Sequence, residues 1–342
     1  IDLYRGNIEV QKNPITFAAF VTLFPQIVAG PIVRYEDVAA ELKERHLDLD
    51  TIWHGILRFC AGIGKKVLIA NNIGTLWDSV KVMDINTVPV ATAWLGIAAY
   101  TLQIYFDFSG YSDMAIGLGE MLGFHFPENF NYPYMSKSIS EFWRRWHMTL
   151  SEWFKSYVYF PLGGSRKGFG RTIFNTAVVW LLTGIWHGAS WNFITWGVMY
   201  GILIIIEKLV ITLLKKKNKE YILDKIPGFI KHIYAMLFVM LGWVLFDTKD
   251  LPTAFSYMKR MFSFGSTFAD EHTLYFLMNF GLLFVIAIIG CTSLVKNLAQ
   301  KFTAKVPSCS HVLSVVYMIV IMLIATSYLV DASYNPFLYF NF

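Results

Sequence analysis

One histidine lies at the end of an apolar segment, where an ionisable ring is costly to bury, and a second ends an aromatic, basic run. His187 closes an apolar segment within Thr183-Gly184-Ile185-Trp186-His187-Gly188-Ala189-Ser190-Trp191-Asn192. His147 ends the run Glu141-Phe142-Trp143-Arg144-Arg145-Trp146-His147. A neutral imidazole takes up and returns a proton near neutrality, which is the work of a general base. Gly184 and Gly188 remove side-chain bulk on either side of His187, so a ligand or a neighbouring backbone can approach closely. Trp186 and Trp191 supply apolar walls, and Asn192 supplies one polar amide. The plainer reading of His187 is a core histidine bonded to a carbonyl at a helix end. For His147, Arg144 and Arg145 the plainer reading is a set of anchors at a membrane interface. The same two arginines suit bidentate contact with lipid phosphate or an anionic donor.

Asp107, Tyr111 and Asp113 form a polar island between apolar stretches. Carboxylates at membrane depth face a bundle interior or a wet cavity. The island reads either as a substrate contact or as the cap of a broken helix. The turn Gly163-Gly164-Ser165-Arg166-Lys167 could hold a phosphate on its backbone N–H groups, but it lacks P-loop spacing. The three cysteines (Cys60, Cys291, Cys309) are far apart and read as small apolar packers. No group of residues has zinc-ligand spacing, so no metal is expected.

The elements that must position these residues follow from composition. Of 342 residues, 55% are hydrophobic and 15% charged, against roughly 25% charged in a soluble domain. Several apolar runs reach the roughly 20 residues that a hydrocarbon core of about 30 Å demands. The chain therefore reads as an all-α, polytopic membrane protein forming a single domain over 1–342. Alternating short strands, the mark of a membrane barrel, are not evident. The net charge of +5 is gathered in clusters at Lys65-Lys66, Arg144-Arg145, Arg166-Lys167, Arg171 and Lys215-Lys216-Lys217. That is the pattern of cytoplasmic loops rather than of nucleic-acid binding.

Pro14–Val33 carries Pro25 and Gly30-Pro31 and predicts a broken segment. A short surface helix is expected within 35–50. Over 51–77 the pattern predicts one helix to about Gly64 and a second, short one beyond it. Spanning helices are predicted over 88–106, 172–186, 191–214, 230–246, 274–290 and 312–330, with one or two interfacial helices over 134–162. The aromatic tail 335–342 suits an interface. Arg171 and Lys215 flank the two helices around His187, so the link at Gly188-Ala189-Ser190 points outward. Sixteen residue steps from Arg171 place His187 roughly 24 Å along the helix, in the outer half of the membrane.

The chain carries Phe24-Pro25-Gln26-Ile27-Val28-Ala29-Gly30-Pro31-Ile32, Phe106-Asp107-Phe108-Ser109-Gly110-Tyr111-Ser112-Asp113-Met114-Ala115, Phe142 to His147, Pro161 to Gly168, Trp186-His187-Gly188-Ala189 and Pro336 to Phe342. Taken together, these stretches resemble the membrane-bound O-acyltransferase family, and within it the branch of alginate O-acetyltransferase membrane subunits. The resemblance implies a ring of transmembrane helices around a central tunnel. It also implies that His187 is catalytic and His147 a second active-site residue. Further membrane helices ordinarily precede the Tyr4-Arg5-Gly6 region in this family, so the chain reads as N-terminally truncated. The resemblance implies no bound cofactor, acetyl-CoA or another acyl thioester as donor, and an extracytoplasmic esterase-like acetyltransferase as partner. The expected place is the inner or plasma membrane, and the expected reaction is O-acetylation of an exported polysaccharide. Alternatives are D-alanyl transfer to teichoic acid by a related branch, a transporter using the Asp107–Asp113 island, or a scaffold without activity.

Overall fold

The structure, a computed structural model, describes residues 1–27, 30–331 and 338, with backbone alone at 307–310 and 331. Val28-Ala29 of the first motif and the aromatic tail 335–342 lie outside the described residues, Leu338 excepted. Among the described residues the chain is helical, with a single isolated bridge between Phe130 and Trp146. The helices are α1 Pro14–Val21, α2 Tyr35–Lys43, α3 Leu49–Ile63, α4 Asn71–Lys81, α5 Val90–Met121, α6 Ile139–Arg145, α7 Met148–Phe154 and α8 Phe169–His187. They continue with α9 Trp191–Lys216, α10 Tyr221–Lys225, α11 Gly228–Asp247, α12 Leu251–Met261, α13 Glu271–Gly290, α14 Leu294–Lys305 and α15 Pro307–Asp331. Local chemistry sets many of the starts. Asn13, Asp48, Ser138, Ser190, Asp250 and Asp270 each accept a backbone N–H of the first turn through their side chains.

Among the described residues four helices are long and apolar enough to cross a membrane: Trp191–Lys216, Gly228–Asp247, Glu271–Gly290 and residues His311–Val330 of α15. This is a multi-pass membrane protein. α5 and α8 form where spans are predicted but are not among these four, because polar residues interrupt them.

Contacts divide the chain into two compact units. Among the described residues one comprises 1–27, 30–71, 105–129, 298–331 and 338, the other 72–104 and 130–297. In the first unit, α3 and α5 meet backbone to backbone. A Cβ added at Gly62 would lie 2.5 Å from the Gly110 carbonyl oxygen, and one at Gly55 2.6 Å from that of Gly117. Glycines seven apart on each helix thus clear a common seam, as small residues do where membrane helices touch.

Along this seam the expectations need two corrections. The two helices expected over 51–77 are α3 and α4, joined without a loop by a π-helical segment, Gly64–Ala70. Lys65 and Lys66 are therefore not in a cytoplasmic loop. Lys65 pairs with Asp113 at 2.5 Å, and buried Lys66 pairs with buried Asp107. Nor does the Asp107–Asp113 island cap a broken helix, since α5 runs unbroken from Val90 to Met121. The partners are 41 and 48 positions away in sequence, which is why local pattern misplaced them. Asp107 also accepts the Leu338 backbone N–H at 2.9 Å, and Asp113 accepts Arg58 at 3.2 Å. Arg58 reaches Glu120 and Glu128 as well. Cys60 and Cys291 are buried thiols outside any disulfide. Amphipathic α12 and α14 were not foreseen.

Removing one partner of a buried ion pair leaves the other charge unmatched, a loss of about 3–5 kcal/mol, whereas replacing both by apolar groups is close to neutral. Lys66→Met should therefore sharply lower the thermal midpoint of the detergent-purified protein, and Lys66→Met with Asp107→Leu should recover most of it. A double variant no more stable than the single one would exclude a mainly structural pair.

Candidate functional site

Both histidines belong to the second unit, where α6, α7, α8, α9 and α11 pack. The α8–α9 hairpin presents His187. Its two backbones touch: a Cβ at Gly197 would lie 2.5 Å from the Trp180 carbonyl oxygen and 3.0 Å from Gly184 Cα. His187 is the last residue of α8, and Gly188 turns the chain at φ +153°, where a Cβ would also strike the Phe193 ring at 2.8 Å. Only glycine satisfies both conditions. Ser190 then starts α9 by accepting the Asn192 N–H. The half-buried His187 ring sits among Trp186, Trp196 and Phe246, with centroids 4.9, 5.0 and 5.1 Å away.

His147 arrives from a different construction. It separates α6 from α7 in the left-handed conformation, φ 45° and ψ 55°, which is uncommon for a residue with a side chain and clusters at functional sites. The strain is overdetermined by its neighbours. Trp146 bridges to Phe130 and packs on Trp243 at 4.9 Å, and Asn131 N–H donates to the Arg145 carbonyl at 2.9 Å. Upstream, the Glu207 carboxylate of α9 accepts the Ile139 and Ser140 N–H groups at 2.7 and 2.9 Å, and the Tyr234 hydroxyl at 3.2 Å. These are the otherwise orphaned donors at the start of α6. Glu207 thereby fixes the helix that delivers His147.

His147 is buried. Burial, with a smaller contribution from the nearby His187, pushes its imidazole down to about 3, so the ring is neutral across the physiological range. Trp186 stands beside both histidines, its indole 6.2 Å from the His147 ring. Nearby, the buried Trp143 and Trp196 indole N–H groups have no acceptor among the described residues.

A cavity of about 350 Å³ opens at His147. Trp143, Trp180 and Thr183 line its inner part, and Arg144, Lys155 and Lys208 its cationic part, with no carboxylate among its lining residues. Lys155 pairs with Glu152 at 3.0 Å outside that lining. Lys208 donates to Thr176 Oγ1 at 2.8 Å and lies over the Tyr159 ring, but has no carboxylate partner among the described residues.

The predicted site residues thus separate by role. His147, His187, Trp186 and Arg144 gather in the second unit. Arg145 is occupied by Glu141 at 2.9 Å and by the Asn131 carbonyl, which also bears out the i,i+4 pair expected from sequence. Asn192 spends its amide on the Thr248 carbonyl at 2.6 Å, latching α9 to the end of α11. Asp107, Tyr111 and Asp113 lie in the first unit, the two carboxylates matched as described above. No group of His, Cys, Asp and Glu suited to a metal occurs among the described residues. Sequence reasoning missed Glu207 and Lys208. Their signal was available: two ionisable residues inside an apolar run long enough to span.

A sequence model of the membrane-bound O-acyltransferase family matches residues 9–245, and the chain belongs to that family. It is 44% identical over 268 residues to "Probable alginate O-acetylase AlgI" of Azotobacter vinelandii, covering 78% of this chain and 51% of the relative. It is 37% identical over 250 residues to the peptidoglycan O-acetyltransferase of Helicobacter pylori, 72% and 46% respectively. To the teichoic acid D-alanyltransferase of Bacillus subtilis it is 31% identical over 217 residues, 59% and 52%. The chain spans about half the length of the curated relatives it matches.

Glu207→Leu would leave two helix-start donors without their acceptor, at about 1–3 kcal/mol each. The variant should melt several degrees lower than Glu207→Gln, which keeps one acceptor oxygen. Equal melting of the two would remove Glu207 from the support of His147.

Proposed function

We propose that this chain is the acyl-transferring part of a membrane O-acetyltransferase that modifies an exported polysaccharide. One observation carries the reading: a neutral histidine, held in a strained backbone, borders a cavity whose charged residues are all cationic. Such a cavity suits a donor with a phosphate-bearing end and an uncharged reactive end. An acetyl thioester on a phosphopantetheine arm, as in acetyl-CoA, has that form. Lys208, Lys155 and Arg144 would hold its phosphates, with the thioester reaching towards His147. The greater similarity to proteins named as O-acetylating than to those named as D-alanylating supports acetyl over D-alanyl. The matched charges of Asp107 and Asp113 weigh against a transporter site there.

In the reaction, an acceptor hydroxyl attacks the thioester carbonyl. His187 takes the hydroxyl proton as the C–O bond forms. His147, as neutral imidazole, donates a hydrogen bond to the carbonyl oxygen while negative charge builds there. The C–S bond then breaks, and the thiolate recovers the proton from His187 and leaves as a thiol. The acceptor is a sugar hydroxyl, or a carrier residue on an extracytoplasmic esterase-like partner that completes the transfer. The protein would act in the inner or plasma membrane as a multi-pass enzyme.

His187→Ala in cells, at normal protein level, should cut acetyl content of the exported polysaccharide by about 10²-fold or more, the range for loss of a general base. Unchanged acetyl content would refute the mechanism. Lys208→Met should raise KM for an acetyl-thioester donor about tenfold while largely sparing kcat, the mark of lost donor binding. A change in kcat alone would remove Lys208 from that role.

A further inference from the structure

A second cavity of the same unit, about 700 Å³, is lined from α5, α11 and α13 and by residues that flank α6 and α13, and it includes neither histidine discussed above. Lys137, next to Gly228 at the start of α11, and His232 one turn further on mark one end. Met236, Met240, Phe284 and Ile288 line it together with Thr101, Tyr134 and Thr292, so the rest of the wall is largely apolar and Lys137 is its one ammonium. A Cβ built on Gly228 would lie 3.4 Å from Lys137 Nζ, so this ammonium sits beside the first residue of a 20-residue helix. The positive end of the helix dipole adds to it.

Lys137 has no carboxylate within ion-pair distance among the described residues. Its backbone N–H donates to Glu141 Oε2 at 2.9 Å, but Glu141 is neutralised by Arg145. His232 Nδ1 donates to the Ser136 carbonyl at 3.1 Å, which leaves Nε2 unoccupied.

The depth of the cavity matches a membrane leaflet. α11 follows, beyond short α10, the basic stretch Lys215, Lys216, Lys217 and Lys219 at the end of α9, so its N-terminus faces the cytoplasm. From Gly228 to Met240 is twelve residues, roughly 18 Å of helix. Half of a hydrocarbon core is about 15 Å. The cationic end therefore stands at cytoplasmic headgroup level and the methionines near the bilayer midplane. Unbranched, polarisable methionine side chains adapt to an irregular chain.

We propose that this crevice is a binding site for one anionic glycerophospholipid of the cytoplasmic leaflet. Its phosphate sits against Lys137 and the start of α11, and one acyl chain fills the space between α5, α11 and α13. The site is independent of the acyl-transfer reading and would stand if that reading failed.

Native mass spectrometry of the detergent-purified protein, titrated with phosphatidylglycerol or with phosphatidylcholine of the same chains, tests it. One phosphatidylglycerol should bind, about fivefold or more tighter than phosphatidylcholine, as expected for one cation at headgroup level. Lys137→Glu, a change at an exposed side chain, should erase that preference. Met240→Trp should weaken both lipids by filling the apolar end. Gel filtration establishes that each variant is folded, and Lys137→Glu decides the matter if Met240→Trp is not. Equal binding of the two lipids, an unaltered preference in Lys137→Glu, or displacement of phosphatidylglycerol by millimolar inorganic phosphate alone would overturn the proposal.

Discussion

The candidate site depends on two backbones being allowed to touch. Gly184 and Gly197 let α8 and α9 close to contact, and nothing bulkier fits between the Trp180 carbonyl and the α9 backbone. With lipid tails as apolar as any side chain, burial gives little reason for two membrane helices to associate. Close packing and polar contacts must do so instead. Once the hairpin is closed, the rest is placed in sequence: His187 at its tip, Glu207 reaching from α9 to the start of α6, and α6 delivering His147. The glycine seam between α3 and α5 applies the same rule in the first unit.

Polar groups in both units follow a second rule, that a charge in an apolar setting must be matched or must face a cavity. Asp107, Asp113, Glu141 and Glu207 are matched by protein donors. Lys208 and Lys137 are the opposite case, because each reaches a cavity without a carboxylate partner among the described residues. A cation left in this state marks where an anion from outside the chain can enter. Adjacent residues illustrate the contrast: Glu207 is absorbed by the fold, and Lys208 is left for a ligand.

Much of this was legible in the sequence. The long apolar periods gave α9, α11, α13 and α15 with ends displaced by only a few residues, because length and apolarity are local properties. His187 and His147 stood out for the same reason. What failed was non-local. Lys65-Lys66 looked like a loop because its carboxylates lie on another helix, and Asn192 looked like a ligand group because Thr248 is 56 positions away. Amphipathic α12 escaped because a short helix with Lys259 and Arg260 reads as polar linker. The cavities could not be read at all, since each is made by residues from several distant segments.

The elbow at His147 has an implication for how this position can vary over time. A left-handed backbone is tolerated by glycine and, at modest cost, by asparagine and aspartate, and it is hostile to β-branched residues. Valine or isoleucine would therefore break the join of α6 and α7 whatever became of the imidazole. The set of letters open to drift here is narrowed twice, first by geometry and only then by chemistry.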